Sequence, residues 1–238
     1  YSDAPDSVGL NLMSLDSFRR TAALAAEKNF QLCVHAIGDR ANREVLDVFE
    51  ETFLKSPERK DRRWRIEHAQ HLHPDDVPRF GSLNVIASIQ GVHCTSDGTW
   101  VPDRLGAWRT RTGAYVWRDL ARTGALIVNG TDVPVERINP IASFHASVTR
   151  RLSDGALFYP EQRMTRIEAL RSYTVNAARA AFEENIKGTL APGMLADMVV
   201  LSKDILTCPD EDILETQVDL TILGGQEVFR RERTREPF

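Results

Sequence analysis

The sequence predicts an α/β protein built on a parallel sheet, and three observations predict it. Short apolar runs of strand length alternate with longer stretches whose apolar residues recur at helical spacing. Recognisable helix starts and Gly stops separate them. After Gly188 the alternation gives way to short β runs punctuated by Gly and Pro.

Ser14 is placed to cap a helix running to about Lys28, with Leu15, Phe18, Ala22 and Ala25 on one face. The strand "FQLCVHA" (30–36) follows, then a helix over "RANREVLDVFEETFL" with Val45, Val48, Phe49 and Phe53 in one stripe and Asp39 as its N-cap. "RWRIEHA" (63–69) is the next strand, "HPDDVPRFGS" a short helix broken near Pro78, and "NVIASIQ" (84–90) a third strand. Residues 91–113 read as a long loop, the kind of segment that carries function. "AYVWRDLARTG" is helical up to Gly124, and "ALIVNGTD" (125–132) is a fourth strand. Thr165 and Glu168 form a Thr-x-x-Glu capping box opening one helix through "EALRSYTVNAARAAF". "GTLAPGMLADMVVLS" and "VDLTILGGQEVFR" close the chain as a small β region, with a turn at Gly224-Gly225. Strands separated by helices pair in parallel, because the crossover returns the chain to the same end of the sheet.

At 238 residues and 42% hydrophobic content the chain can bury a sizeable core. A net charge of −4 lacks the basic footprint nucleic acid requires, so no nucleic-acid partner is expected. Cys33, Cys94 and Cys208 show no paired spacing, which points away from a disulfide framework and toward a cytoplasmic setting. No apolar run reaches the roughly 20 residues that span a bilayer, so no membrane partner is expected either. The chain opens on Tyr1 without an initiator Met and reads as a piece of something longer.

His35, His68 and Asp132 each close an expected strand, and in a parallel sheet those carboxyl ends share one face. A single strand-end histidine is more often a hydrogen-bonded structural residue; three groups in register point to a divalent ion such as zinc. Asp132 can hold that ion and also take a proton from water. The nearby His71-Leu72-His73 has the spacing of a metal pair, but Pro74-Asp75-Asp76 makes it a helix entry. His145, within "NPIASFHASVTRR", reads as structural. His93 and Asp97, in the expected loop beside the metal face, suit substrate binding.

In order along the chain stand "VHAIGDRAN", "IEHAQHLHPDDVPRF", "SIQGVHCTSDGTWVPDRLG", "GAYVWRDL", "NGTDVPVERINP", "ALRSYTVNAARAAFEENIKGTLAPGMLADMVVLS" and "ILGGQEVF". This series resembles the amidohydrolase superfamily, specifically the YtcJ-like branch that includes N-substituted formamide deformylase. The resemblance implies the second half of a (β/α)8 TIM-type barrel, strands five to eight, in residues 1–187, and strands of a small β-sandwich in residues 188–238. It implies His35 and His68 as the strand-five and strand-six ligands, and Asp132 as the strand-eight ligand and general base. His93 and Asp97 match polar positions of the strand-seven loop. The activity implied is metal-dependent hydrolysis of a C–N bond, other than a peptide bond, in a small amide-like molecule, with one or two ions, zinc first among them, in the complete protein.

Two departures qualify the resemblance. Gly91 stands where the family usually has proline, which is expected to loosen that loop. The strand-one His-x-His and the strand-four bridging residue have no counterpart here. Half a barrel leaves open sheet edges, so a covalent N-terminal continuation or a homo-oligomer is expected to cover them. Two other functions stay open: a catalytically dead half-barrel serving binding or assembly, and a metal hydrolase of C–O or cyclic amide bonds.

Overall fold

In a computed structural model describing residues 1–232, four short strands form a parallel sheet in the order β1 (Cys33–Ala36), β2 (Arg65–His68), β3 (Ile86–Ile89) and β4 (Ile127–Asn129). The register runs Ala36 beside His68, Arg65 beside Ile86 and Ile89 beside Asn129, so the carboxyl ends lie together at one rim. Sequential pairing follows from the crossovers, each of which carries at least one helix back across the sheet.

Helix α1 (Leu15–Glu27) starts at Ser14, whose hydroxyl accepts from the Ser17 amide, and it buries Phe18, Ala22, Ala25 and Ala26. Helix α2 (Asp39–Leu54) buries Val45, Leu46, Val48 and Phe49. Its N-cap is Gly38, not Asp39; Asp39 is the first helical residue, where a carboxylate suits the positive helix end. Trp64, fully buried, packs edge-on against Phe49 and Phe53 at ring distances of 4.9 and 5.2 Å. Pro74–Asp76 forms one 3₁₀ turn capped by the His73 imidazole, and α3 (Val77–Ser82) follows. That is the expected helix entry, and it commits His73 to capping.

The expected loop over 91–113 is instead two helices, α4 (Gly91–Asp97) and α5 (Val101–Gly113), the latter bent at Gly106. Tertiary packing overrides the weak local signal: α4 lies against α7 (Pro140–Thr149), and a Cβ on Gly91 would sit 2.1 Å from the Ser147 hydroxyl. Gly91 therefore permits close helix contact and does not loosen the segment. Helix α6 (Trp117–Arg122) leads into β4. The long helix expected from Thr165 keeps its capping box but is two, α8 (Arg166–Tyr173) and α9 (Val175–Ala180), broken by non-helical backbone at Thr174. Asn176 of α9 donates to the Ile127 carbonyl at 2.9 Å, capping part of the outer edge of β4.

The C-terminal region forms a separate antiparallel sheet of β5 (Met198–Leu201), β6 (Val218–Leu223) and β7 (Gln226–Arg230). Gly224 and Gly225 both have positive φ, as a tight hairpin turn requires. Among the described residues, no helix is long and apolar enough to cross a membrane.

Candidate metal centre

Three side chains converge at the carboxyl rim of the parallel sheet. His68 ends β2, His93 sits in the first turn of α4, and Asp132 lies three residues beyond the end of β4. One potential ligand atom from each lies within 4.8 Å of the other two. His93 Nε2 stands 3.7 Å from an Asp132 carboxylate oxygen, and the imidazoles of His68 and His93 are stacked at 5.8 Å. Asp132 does not end a strand as expected, because β4 stops at Asn129, three residues short of it.

The backbone here is unusual for its residue types. His68, Ala69 and Asp132 have φ of 78°, 45° and 57°, left-handed values that cost non-glycine residues energy. Such strain persists only where surrounding structure enforces it, and here it aims two candidate ligands.

Hydrogen bonding sets which imidazole atoms are free. His68 Nδ1 is 2.7 Å from Gln90 Oε1, an acceptor, so Nδ1 carries the proton and Nε2 keeps its lone pair. His93 is buried, and its Nε2 has no hydrogen-bond partner among the described residues. An orphaned buried imidazole nitrogen is costly unless something else engages it. Two imidazoles and a carboxylate, with one nitrogen unsatisfied, are a donor set that suits a borderline divalent cation.

His35 is exposed on β1, with its ring edge-on to His68 at 4.6 Å. Partial desolvation, and next the neighbouring His68 imidazole, lower its pKa, which favours the neutral ring. His35 adjoins the His68–His93–Asp132 cluster without sharing its 4.8 Å spacing. The other histidines go elsewhere: His71 is buried, in an isolated bridge with Ala114, and burial lowers its pKa to about 4. His145 is buried on α7.

A cleft of about 570 Å³ opens over the cluster, with Asp97, Trp100, Arg104 and Glu136 along its walls. Asp97 Oδ2 accepts from the Tyr115 hydroxyl at 2.7 Å and from Gln70 Nε2 at 3.0 Å. Burial, and next the charge of Asp97, push the Tyr115 pKa well above 10, so it remains a donor. Behind it, the buried Arg150 guanidinium holds the Tyr115 carbonyl at 3.0 Å and faces the Trp117 ring at 4.6 Å. Gln70, Gln90, Tyr115 and Arg150 escaped the sequence analysis. The signal available for the first two was their place, two residues after His68 and at the end of the third strand.

The chain matches the amidohydrolase family over residues 2–229. It belongs to the amidohydrolase family. It is 37% identical to Protein LONG AFTER FAR-RED 3 of Arabidopsis thaliana, covering 96% of this chain and 39% of the relative. It is 30% identical to YtcJ of Bacillus subtilis strain 168, covering 97% and 43%, and 27% identical to N-substituted formamide deformylase of Arthrobacter pascens, covering 95% and 41%. These place this amidohydrolase in the YtcJ-like branch. Among solved structures, an uncharacterized metal-dependent hydrolase from Pyrococcus horikoshii OT3 is similar at a TM-score of 0.77 and 31% identity, over 89% of this chain and 42% of that one. The chain thus spans about two-fifths of the length of the relatives it matches.

Proposed function

We propose that this chain is the C-terminal portion of a metal-dependent hydrolase that cleaves a non-peptide C–N bond in a small amide-like molecule. The observation that carries this reading is the buried, unpartnered His93 Nε2 beside His68 and Asp132. Family membership supports hydrolysis, and the formamide deformylase among the relatives supports the C–N bond. We take residues 1–187 as strands five to eight of a (β/α)8 barrel and 188–238, of which 233–238 lie outside the described residues, as sandwich strands. The parallel order of β1 to β4 and the share of each relative that is covered support that division.

His68, His93 and Asp132 would hold a divalent ion, with His35 offering a further imidazole from the adjacent strand. This gives His93 a role beyond the substrate contact expected from sequence. A divalent ion bound there would supply Lewis acidity, which lowers the pKa of a water toward about 7. Asp132, partly open to the cleft, accepts the proton of the attacking water and returns it to the leaving nitrogen. The carbonyl carbon gains a C–O bond and loses its C–N bond, giving an acid and an amine. Gln90 keeps the His68 ring oriented, and α4 holds His93 at the rim.

The test is metal content per chain in the polypeptide as the cell makes it, alongside His68→Ala, His93→Ala and Asp132→Ala. One or two divalent ions per chain, reduced in each variant, is the expected result. Unchanged metal in all three sinks the reading, and a folded, metal-free protein turns it toward the binding or assembly role.

A further inference from the structure

We propose that the cleft selects substrates carrying a cationic nitrogen about one helical turn from the scissile carbonyl, with Asp97 as the residue that reads it. The inference rests on the hydrolase reading above and names its substrate class. His93 and Asp97 lie four residues apart on α4, and that spacing puts side chains on one helix face with Cβ atoms about 5–6 Å apart. Both line the same cleft, so a ligand whose reacting carbonyl sits at the His68–His93–Asp132 cluster extends past Asp97.

The charge at Asp97 is held but not cancelled. Its donors, the Tyr115 hydroxyl, the Gln70 amide and, at 3.5 Å, the Ser96 hydroxyl, are all neutral. Among the described residues no Lys, Arg or His stands within salt-bridge distance of it. The cleft's lining includes one guanidinium, Arg104, and that is paired with Asp3 at 2.8 Å. A neutral ligand covering Asp97 would strip water from a carboxylate without replacing it, whereas an ammonium group supplies the counter-charge. Trp100, 46% exposed on the same wall, offers a ring face to the same cation.

Two measurements on the whole natural polypeptide decide it. In the first, kcat/KM is compared for two amides of one acid, one with a terminal ammonium on its N-substituent and the other with a methyl group in its place, in the wild type and in Asp97→Asn. The ammonium substrate is expected to be preferred roughly tenfold, the factor that about 1.4 kcal/mol of charge pairing supplies, and Asp97→Asn is expected to abolish the preference. The ratio is insensitive to the fraction of enzyme that folds. Equal rates in the wild type, or an unchanged ratio in Asp97→Asn, overturn the inference. In the second, butylammonium and butanol are titrated into metal-free protein and followed by NMR. Tighter binding of butylammonium that Asp97→Asn weakens about tenfold supports the inference even if neither amide is hydrolysed, an outcome that would count against the hydrolase reading alone. Binding unaffected by Asp97→Asn overturns it.

Discussion

The two ends of the same four strands are built on opposite terms. At the amino end most polar groups are paired, the buried Arg62 Nε being an exception: Arg63 grips Asp61 and Glu184, its guanidinium lies 4.1 Å from the Phe182 ring centre, and Gln31 spans to the carbonyls of Arg63 and Ala180. Trp64 completes that end, burying its ring and donating to the Phe30 carbonyl at 3.0 Å. At the carboxyl end, His68 and Asp132 adopt left-handed backbone and His93 keeps a buried nitrogen unsatisfied. One end spends its residues on cohesion, and the other leaves polar atoms poised for a ligand.

The largest expected effect is at the carboxyl end. If Asp132 is the base as proposed, Asp132→Asn in the whole polypeptide should lower hydrolysis on the order of 10²–10⁴-fold. The same variant should unfold within about 0.5 kcal/mol of the wild type in urea. A large stability loss without a rate loss would erase the contrast between the ends.

Trp64→Ala, at the amino end, should reverse the pattern. Removing a fully buried indole from the Phe49–Phe53 cluster should cost about 3–5 kcal/mol in denaturant unfolding. If the folded fraction of that variant binds metal as the wild type does, the two ends are energetically separate.

His71, between the two behaviours, gives a pH test. Its folded pKa of about 4 lies below the ordinary value of 6.5, so on acidification the unfolded chain takes up the proton first. Stability should therefore fall as the pH drops from 6.5 to 4 and then level off, by roughly 3 kcal/mol in all. Urea midpoints across that range should show the slope in the wild type and a flatter one in His71→Phe.

Glu184→Gln should have the smallest effect, since its carboxylate is solvent-accessible. Hydrogen bonds from Arg63 hold its pKa at about 2. That contribution is present above the ordinary carboxylate pKa and is lost as the pH falls toward 2. The variant should thus differ from the wild type at neutral pH and converge with it in strong acid, as thermal melts would show.

Much of the frame was legible in the sequence because its signals are local. Ser14 and Thr165 cap the helices expected of them, and the four parallel strands fall inside their expected ranges. The misreadings share a cause. Gly91, Gly98, Gly106 and Gly113 punctuate the segment of α4 and α5 and suggest a loop, and only the structure shows α7 pressed against Gly91. Taking 91–113 for a loop also hid the common helix face of His93 and Asp97.

By itself the sequence determined the α/β alternation, the capped helix starts, the family, and the presence of His68 and Asp132 near strand ends. Those properties follow from periodicity and residue chemistry within a few turns of chain. Only the tertiary structure decided that His93 joins His68 and Asp132, that Gln90 sets the His68 proton, and that Gln70 and Tyr115 hold Asp97. These contacts join residues up to 64 positions apart, as His68 to Asp132 shows, and no local periodicity records a distance between side chains that meet only when the strands pack.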